Sequence, residues 1–342
     1  MRHKSLLIAT LVLGLIALAA VRIGRETPPT AEARQPLFAA GLVASAQSLV
    51  IRANDKDVTL VSTPTGWVVK EKFGLPVDVE NRLQPLLRDL QKAQDLGPLT
   101  ANPKRLAKLG LADTALTLTG PDGRPETIHF GKQTEDGLGA SMRRAGQTAA
   151  RRTDFSGQLE GDPSNWADLT PFSAKSTEIK EVAFEWSDGR AAFVRKELGA
   201  SFEGPQGPLV EDILNTIATI RAADAVAPDD KVAAQAVRLA GVKLTLFTGA
   251  VVTLSFSQAA TPPGGGAPPR AFVRVAHSDP AHKANAMAKQ AVLVAAPWML
   301  EQLPASLADF RKGPASGAEA PSLTPIPGPA PIIVAPTEIK VK

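Results

Sequence analysis

Residues 78–96 read DVENRLQPLLRDLQKAQDL, and the apolar side chains in this stretch are three or four residues apart. This spacing predicts a helix over residues 79–96, with Asp78 as its N-cap. The alternative is a start near Leu83, because Pro85 kinks a helix when it lies past the first turn. The pattern returns 130 residues later, where the matched pairs are Leu83 with Ile213, Leu87 with Ile217, Leu90 with Ile220, Ala93 with Ala223, and Leu96 with Val226. A helix whose apolar spacing recurs in this way is typical of an internal repeat.

Short strand patterns that follow this helix recur in the same order. They pair LTL at 116–118 with LTL at 244–246, TIHF at 127–130 with TLSF at 253–256, and ASMR at 140–143 with AFVR at 271–274. Alternating apolar and polar residues indicate strands, and the GPDG sequence at 120–123 is typical of a hairpin turn. The chain is therefore predicted to be α+β, with two tandem copies of one unit, each an antiparallel sheet with helices.

The remaining elements follow from the same rules of periodicity and capping. Strands are expected at 48–53, 57–62, 67–70, 115–119, 126–130 and 140–144 in the first copy, and at 179–186, 191–196, 242–247, 251–257 and 270–277 in the second. Further helices are expected at 103–109, 209–223 and 229–239.

These matches and the composition of the two ends divide the chain into five parts. They are an N-terminal anchor or signal at 1–25, a linker at 26–47, a first repeat at 48–172, a second repeat at 173–312, and a Pro-rich tail at 313–342. The linker and the tail have too few large apolar side chains to offset the entropy lost when a chain becomes ordered, and the tail is predicted to be disordered.

The N-terminus combines basic residues at 2–4 with an uncharged apolar run at 5–21. Seventeen residues of helix span about 26 Å, which is the short end of what crosses a hydrocarbon core. Such a run is either a retained transmembrane helix or a cleaved signal peptide, and we favour the helix. We therefore expect a single-pass protein of the bacterial inner membrane, with most of the chain on the extracytoplasmic side.

Composition narrows the possible chemistry. The 342 residues include no cysteine, which excludes disulfides, thiolate metal sites and thiol nucleophiles. The net charge is +4, the basic residues are dispersed and aromatic residues make up 5%, a pattern that does not indicate a nucleic-acid partner. The chain has no nucleophile elbow, zinc-protease motif, phosphate-binding lysine loop or dinucleotide fingerprint, so we expect no cofactor and no catalytic residues.

Two groups of residues remain as candidate sites. His277 and His282 flank Asp279, but Pro280 separates them, and a polar loop is the favoured interpretation over a metal site. Arg143 and Arg274 occupy matched positions in the two copies and could form an anion site between them. The alternative is that each arginine covers a sheet edge or pairs with a carboxylate.

Several segments resemble the bacterial domain-of-unknown-function 4340 family. They are the apolar N-terminal run, the strand at Gly66 and Trp67 before VDVENRLQPLLRDLQKAQ at 77–94, and KLGL at 108–111 leading to LTLTG and IHFGK. The resemblance covers about residues 48–310. Proteins similar to these are predicted to be membrane-anchored and often accompany the subunits of a gliding-motility-like ABC transporter. The resemblance therefore implies the membrane and transporter ATPase and permease subunits as partners, and it supplies no active-site residues.

Two functions are compatible with these observations. The first is a non-enzymatic, membrane-anchored extracytoplasmic scaffold that serves as accessory subunit of an ABC-transporter-like envelope complex. The alternative is an envelope ligand-binding protein or hydrolase whose site lies between the two repeats, with Arg143 and Arg274 as the residues that would meet there.

Overall fold

The computed structural model describes residues 34–134, 139–260 and 269–312. These residues form three antiparallel sheets of ten, two and seven strands. The strands are β1 (Gln35–Pro36), β2 (Ser48–Ala53), β3 (Lys56–Thr63), β4 (Gly66–Val69), β5 (Leu75–Pro76), β6 (Gln94–Thr100), β7 (Thr114–Thr119), β8 (Pro125–Gln133), β9 (Ala140–Arg144), β10 (Ala150–Thr153), β11 (Phe172–Ser173), β12 (Ile179–Trp186), β13 (Gly189–Val194), β14 (Thr219–Ile220), β15 (Asp224–Val226), β16 (Val237–Leu246), β17 (Val251–Gln258), β18 (Ala271–His277) and β19 (Val292–Val294).

The helices in the described part of the chain are short. The α-helices are α1 (Leu42–Ser45), α2 (Gln84–Lys92), α3 (Pro103–Leu106), α4 (Gly207–Ile217), α5 (Lys231–Ala234), α6 (Lys283–Gln290), α7 (Pro297–Glu301) and α8 (Leu307–Lys312). A π-helical turn at Val79–Leu83 precedes α2, and 3-10 turns lie at Lys70–Lys72, Pro163–Asn165 and Ser176–Glu178. The longest of these helices, α4, has eleven residues.

The two large sheets share a strand order. The first sheet runs β1-β6-β10-β9-β8-β7-β2-β3-β4-β5, and the second runs β13-β12-β16-β17-β18-β19-β15. Seven neighbouring strands of the first sheet, β3-β2-β7-β8-β9-β10-β6, correspond in order to the strands β13-β12-β16-β17-β18-β19-β15 of the second sheet. We call the ten-stranded sheet with α1–α3 the first unit, and the seven-stranded sheet with α4–α8 the second unit.

One hydrophobic cluster runs through both units. Successive strand side chains point to opposite faces of a sheet, so every second residue enters the core. In β2, Leu49 and Ile51 are fully buried, whereas Arg52, which lies between the buried residues Ile51 and Ala53, is exposed. Helix α2 adds Leu86 and Leu90 to the same cluster, because these residues lie one turn apart on one helix face.

The two units are held together by polar contacts as well as by the shared core. The side chain of Lys72 in the first unit donates to Asp224 Oδ1 at the start of β15, at 2.5 Å. Ser164 and Leu169 belong to the segment that connects the sheets. Ser164 Oγ donates to the same Asp224 oxygen at 2.7 Å, and the Ala222 N–H donates to the Leu169 carbonyl oxygen at 2.9 Å. Asp224 of the second unit therefore accepts hydrogen bonds from both the first unit, through Lys72, and the connecting segment, through Ser164.

The predicted α+β fold with an N-terminal transmembrane helix is wrong, because the described residues form mainly antiparallel β-sheet with short helices. Within residues 34–134, 139–260 and 269–312, none of the helices has the length and apolar character needed to cross a membrane. The run at 5–21, to which the sequence assigns the transmembrane helix, lies outside the described residues, as does the predicted tail at 313–342.

The helices are shorter than their apolar spacing predicts. The helix expected at 79–96 contains only α2 and the preceding π turn, and residues 94–100 form β6 instead. Likewise, α4 ends at Ile217, and the helix expected at 229–239 gives way to β16 at Val237. In each case the backbone pairs with a neighbouring strand, and this tertiary pairing outweighs local helix propensity.

Candidate anion-binding site

A basic cavity of about 760 Å³ lies in the first unit, between α3 and the ends of β6, β8, β9 and β10. Four cationic side chains line it, namely Arg105, Lys108, Lys132 and Arg152. Among the described residues of the lining, none carries a carboxylate. Clustered cations in a concave site raise the local concentration of anions, so the cavity is the candidate functional site.

A β-bulge brings Lys132 to the cavity. The register of β8 against β9 shifts between Phe130 and Gln133, and the Lys132 N–H leaves the ladder to donate to the Leu109 carbonyl oxygen at 2.8 Å. A Cβ on Gly131 would lie 2.2 Å from that same oxygen. Glycine is therefore required at position 131, because only a residue without a side chain lets the loop after α3 approach the sheet this closely.

Local signals in the sequence place Arg105 and Lys108. Asn102 caps α3, since its side chain accepts from the Lys104 N–H at 3.0 Å, and proline follows at the first helical position. The turn continues with the Lys108 N–H donating to the Arg105 carbonyl oxygen. Within the part of the chain that the structure describes, Arg105, Lys108 and Lys132 form no ion pair with a carboxylate.

Ser141 forms part of the wall beneath these cations. It is 1% exposed, and its hydroxyl group donates to the Lys132 carbonyl oxygen at 3.1 Å. A small side chain held against the backbone leaves the space above it open. The hydroxyl is thus used in supporting the bulge. The arrangement is suited to holding negative charge rather than to activating a nucleophile.

In the second unit, the equivalent space is filled. We define equivalent positions in the two units by strand register. The pair Ser141–Arg152 of the first unit corresponds to Phe272–Val294 of the second. The pair Thr100–Ala150 corresponds to Val226–Val292. Phe272 and Val292 are each 1% exposed and form an apolar cluster with Ala233, against which Val226 and Val294 pack. The basic cavity of the first unit therefore corresponds to a small apolar core in the second.

The bulge itself has no counterpart in the second unit. Phe130 pairs with Met142 and Gln133 with Ala140 in the first unit, whereas Phe256 pairs with Val273 and Gln258 with Ala271 in the second. Two residues, Gly131 and Lys132, separate the pairs in the first unit, and only Ser257 does so in the second. The additional residue in β8 therefore places Lys132 in the cavity wall.

Comparison with known protein families covers this region. A family model described as a domain of unknown function, DUF4340, matches residues 67–239. The chain belongs to the DUF4340 family. The DUF4340 match begins in β4 and ends in β16, so all four cationic residues of the cavity lie within it. No curated protein and no solved structure matches the chain.

The two arginines singled out in the sequence lie in different sheets of this DUF4340 protein. Arg143 is half-buried in β9, opposite His129 of β8, and Arg274 is exposed in β18, opposite Ser255 of β17. Neither of them lines the basic cavity. An anion site between the units that uses both arginines stays a prediction.

His129 lies on the outer face of the first sheet. As the alternation of β8 predicts, its neighbours Ile128 and Phe130 are buried in the core. Burial lowers the pKa of His129, and the nearby charges of Arg143 and Arg52 lower it further. Its Nδ1 atom is buried and has no hydrogen-bond partner among the described residues. Burial and the two nearby cations therefore favour the neutral form of this imidazole.

His277 and His282 stack with their ring centroids 3.9 Å apart. The Nδ1 atom of His277 accepts the Asp279 N–H at 3.0 Å, and the Nδ1 atom of His282 accepts the Ala284 N–H at 3.2 Å. These two bonds require the neutral tautomer that carries its proton on Nε2, which suits a turn and the N-cap of α6. In residues 34–134, 139–260 and 269–312, no group of three or more His, Cys, Asp or Glu side chains could hold a metal ion.

The residues that build the cavity were not among the candidate site residues predicted from the sequence. They are Arg105, Lys108, Lys132, Ser141 and Arg152. One signal was available, because the offset between matched residues falls from 126 at Phe130 and Phe256 to 125 at Gln133 and Gln258. A change of one residue inside a strand pattern indicates a bulge, and bulges often lie beside functional sites.

Proposed function

We propose that this DUF4340 protein is a non-enzymatic scaffold of the bacterial cell envelope and the ligand-binding accessory subunit of an ABC-transporter-like assembly. The observation that carries the proposal is the basic cavity, which Arg105, Lys108, Lys132 and Arg152 line from separate elements. A site of this composition binds an anionic group.

Binding rather than catalysis is favoured by the groups that surround the cavity. Its only buried hydroxyl among the described lining residues, that of Ser141, already donates to a backbone carbonyl. General acid–base catalysis most often uses a His, Glu or Asp side chain, and none of these is among the described lining residues. We therefore assign the cavity to recognition.

Support for an extracytoplasmic location comes from the sequence. Basic residues at 2–4 precede the uncharged run at 5–21, a pattern typical of chains that are directed to the membrane. The resemblance to membrane-anchored, transporter-associated proteins supports the same location and the same partners. The shared core and the contact between Lys72 and Asp224 support a scaffold, because they join the two sheets into one body.

The experiment that tests this function is affinity purification of the tagged full-length protein from detergent-solubilised native membranes, followed by mass spectrometry. We expect ATPase and permease subunits of one ABC-type transporter to co-purify in stoichiometric amounts. A matched purification of an unrelated tagged envelope protein controls for abundant transporters. Recovery of the protein alone, or in the cytosolic fraction, would overturn the accessory-subunit proposal.

A further inference from the structure

We propose that the basic cavity binds a compact phosphate compound with at least two adjacent phosphate groups, such as a diphosphate ester, an inference that rests on the ligand-binding role proposed above. Three features of the cavity support this ligand: the convergence of its cations, its size, and its contrast with the second unit.

The cations reach the cavity from separate elements. Arg105 lies in α3, Lys108 in the turn that follows it, Lys132 in the bulge of β8, and Arg152 in β10. A row of cations along one strand or helix would suit an extended polyanion. Cations that converge from several directions suit a small anion with high charge density, and phosphate groups supply more than one negative charge within a few ångströms.

The dimensions of the cavity set an upper limit on the ligand. A volume of about 760 Å³ lies within the range of small-molecule sites. The side chains of Leu99 and Leu109 contribute an apolar part of the wall. The cavity therefore has room for two or three phosphate groups at the cationic side and for a small organic group against the leucines.

The contrast between the units indicates that the cavity is specifically built. At equivalent positions, Ser141 replaces the core residue Phe272, and Arg152 replaces Val294. The additional bulge residue adds a further cation, Lys132. These changes exchange a packed apolar cluster for an open space lined by cationic residues, an arrangement that loses packing. A bound anion would fill this space.

The test is isothermal titration calorimetry of the full-length protein in detergent with inorganic pyrophosphate, at low ionic strength. We expect saturable binding at one site per chain, which weakens as salt is added because charge attraction is screened. Reversing two cations with Lys108→Glu and Lys132→Glu should weaken binding at least about tenfold. The control variant carries Lys231→Glu and Lys289→Glu, which make the same charge change on exposed helices of the second unit and should bind as wild type does.

The outcomes separate this inference from the proposed function. Citrate, a multivalent carboxylate, is titrated in parallel, and equal affinity for citrate and pyrophosphate would overturn the assignment to phosphate. Unchanged pyrophosphate binding in the Lys108 and Lys132 variant would overturn the assignment to this cavity. If transporter subunits co-purify but pyrophosphate does not bind, the inference fails and the scaffold stands. If pyrophosphate binds but no subunit co-purifies, the ligand class stands and the accessory role fails.

Discussion

Ser141 of β9 and Phe272 of β18 occupy equivalent positions in the two units, and one borders an open cavity where the other fills an apolar core. Ser141 pairs across the sheet with Arg152, which also lines the cavity, and Phe272 pairs with Val294, which packs against the apolar core. The same strand order thus supports two different interiors. The difference arises from a few side chains and one additional residue in β8, and it leads directly to a test.

Replacing Ser141 by phenylalanine should convert the first unit toward the second. Gly131 and the Leu109 carbonyl group lie close to the serine, and the cavity borders it, so we expect the ring to extend into the cavity. We expect Ser141→Phe to weaken pyrophosphate binding at least about tenfold by occupying the site. Ser141→Ala should leave the cavity open and retain most of the affinity. Circular dichroism confirms that both variants fold, and equal affinity in the two variants would contradict the role of the open space.

Arg195 and its neighbour Lys196 should differ widely in their contribution to stability. Arg195 is 1% exposed, its Nη2 donates to both carboxylate oxygens of Glu211 at 2.8 Å, and its guanidinium lies 4.4 Å from the ring centroid of Phe202. Arg195→Met leaves Glu211 without its cationic partner, and we expect the free energy of unfolding to fall by about 3 kcal/mol.

Lys196→Met is the matched control for this prediction. The ion pair between Lys196 and Glu203 is exposed at both ends, so its loss should change stability little. Urea unfolding of both variants measures the comparison. Similar losses of stability in the two variants would show that the buried pair has no special role.

The contact between the units should make stability depend on pH through Asp224. Burial raises the pKa of this carboxyl group, but hydrogen bonds from Lys72, Ser164 and the Ala225 N–H outweigh burial and hold the pKa below its ordinary value of 3.8. Because the folded state has the lower pKa, the carboxylate stabilises the fold above pH 3.8, and this contribution is lost as the pH falls through the folded-state value.

We expect Asp224→Asn to be less stable than wild type at neutral pH, and the difference to shrink as the pH falls below 3.8. Urea unfolding over a series of pH values measures this. Asp229→Asn is the control, because Asp229 is exposed and forms no ion pair within the described residues. A difference between wild type and Asp224→Asn that stays constant with pH would rule out the titration of Asp224 as its cause.

His282 should give a second pH dependence, because folding favours the neutral form of this side chain, whereas it favours the charged form of Asp224. Burial lowers its pKa below the ordinary value of 6.5, and electrostatic interaction with His277 lowers it further. The fold therefore favours neutral His282, so its contribution is complete above pH 6.5 and declines as the pH falls below 6.5 toward the folded-state pKa. Protonation on Nδ1 would also break the bond that His282 accepts from the Ala284 N–H.

The variant His282→Asn separates capping from titration, since asparagine caps helices well and does not ionise. We expect its melting temperature to vary less between about pH 5 and pH 8 than that of wild type. Thermal unfolding at several pH values measures this difference. His3→Asn changes a histidine far away in the sequence and serves as the control. Identical pH profiles for wild type and His282→Asn would contradict the prediction.

Sequence periodicity predicted the strands better than the helices. The strands expected at 48–53 and 140–144 are confirmed with the same bounds, and the hairpin of β12 and β13 is confirmed within two residues. The strands β6, β10, β15 and β19 were not predicted. Their residues alternate weakly, and they are strands because of the neighbours that accept their backbone hydrogen bonds.

The sequence by itself determined the local features of this protein: the alternating strands, the turns between them, the cap at Asp78, and membership of its family. These features depend on residues within a few positions of one another, so the chain order suffices to predict them. Only the tertiary structure decided the candidate site. Arg105 and Arg152 are 47 positions apart in the chain, and they face one cavity because β6 pairs with β10. Strand pairing depends on how residues that are distant in the sequence bury the core together, so no single segment of the sequence is enough to predict it.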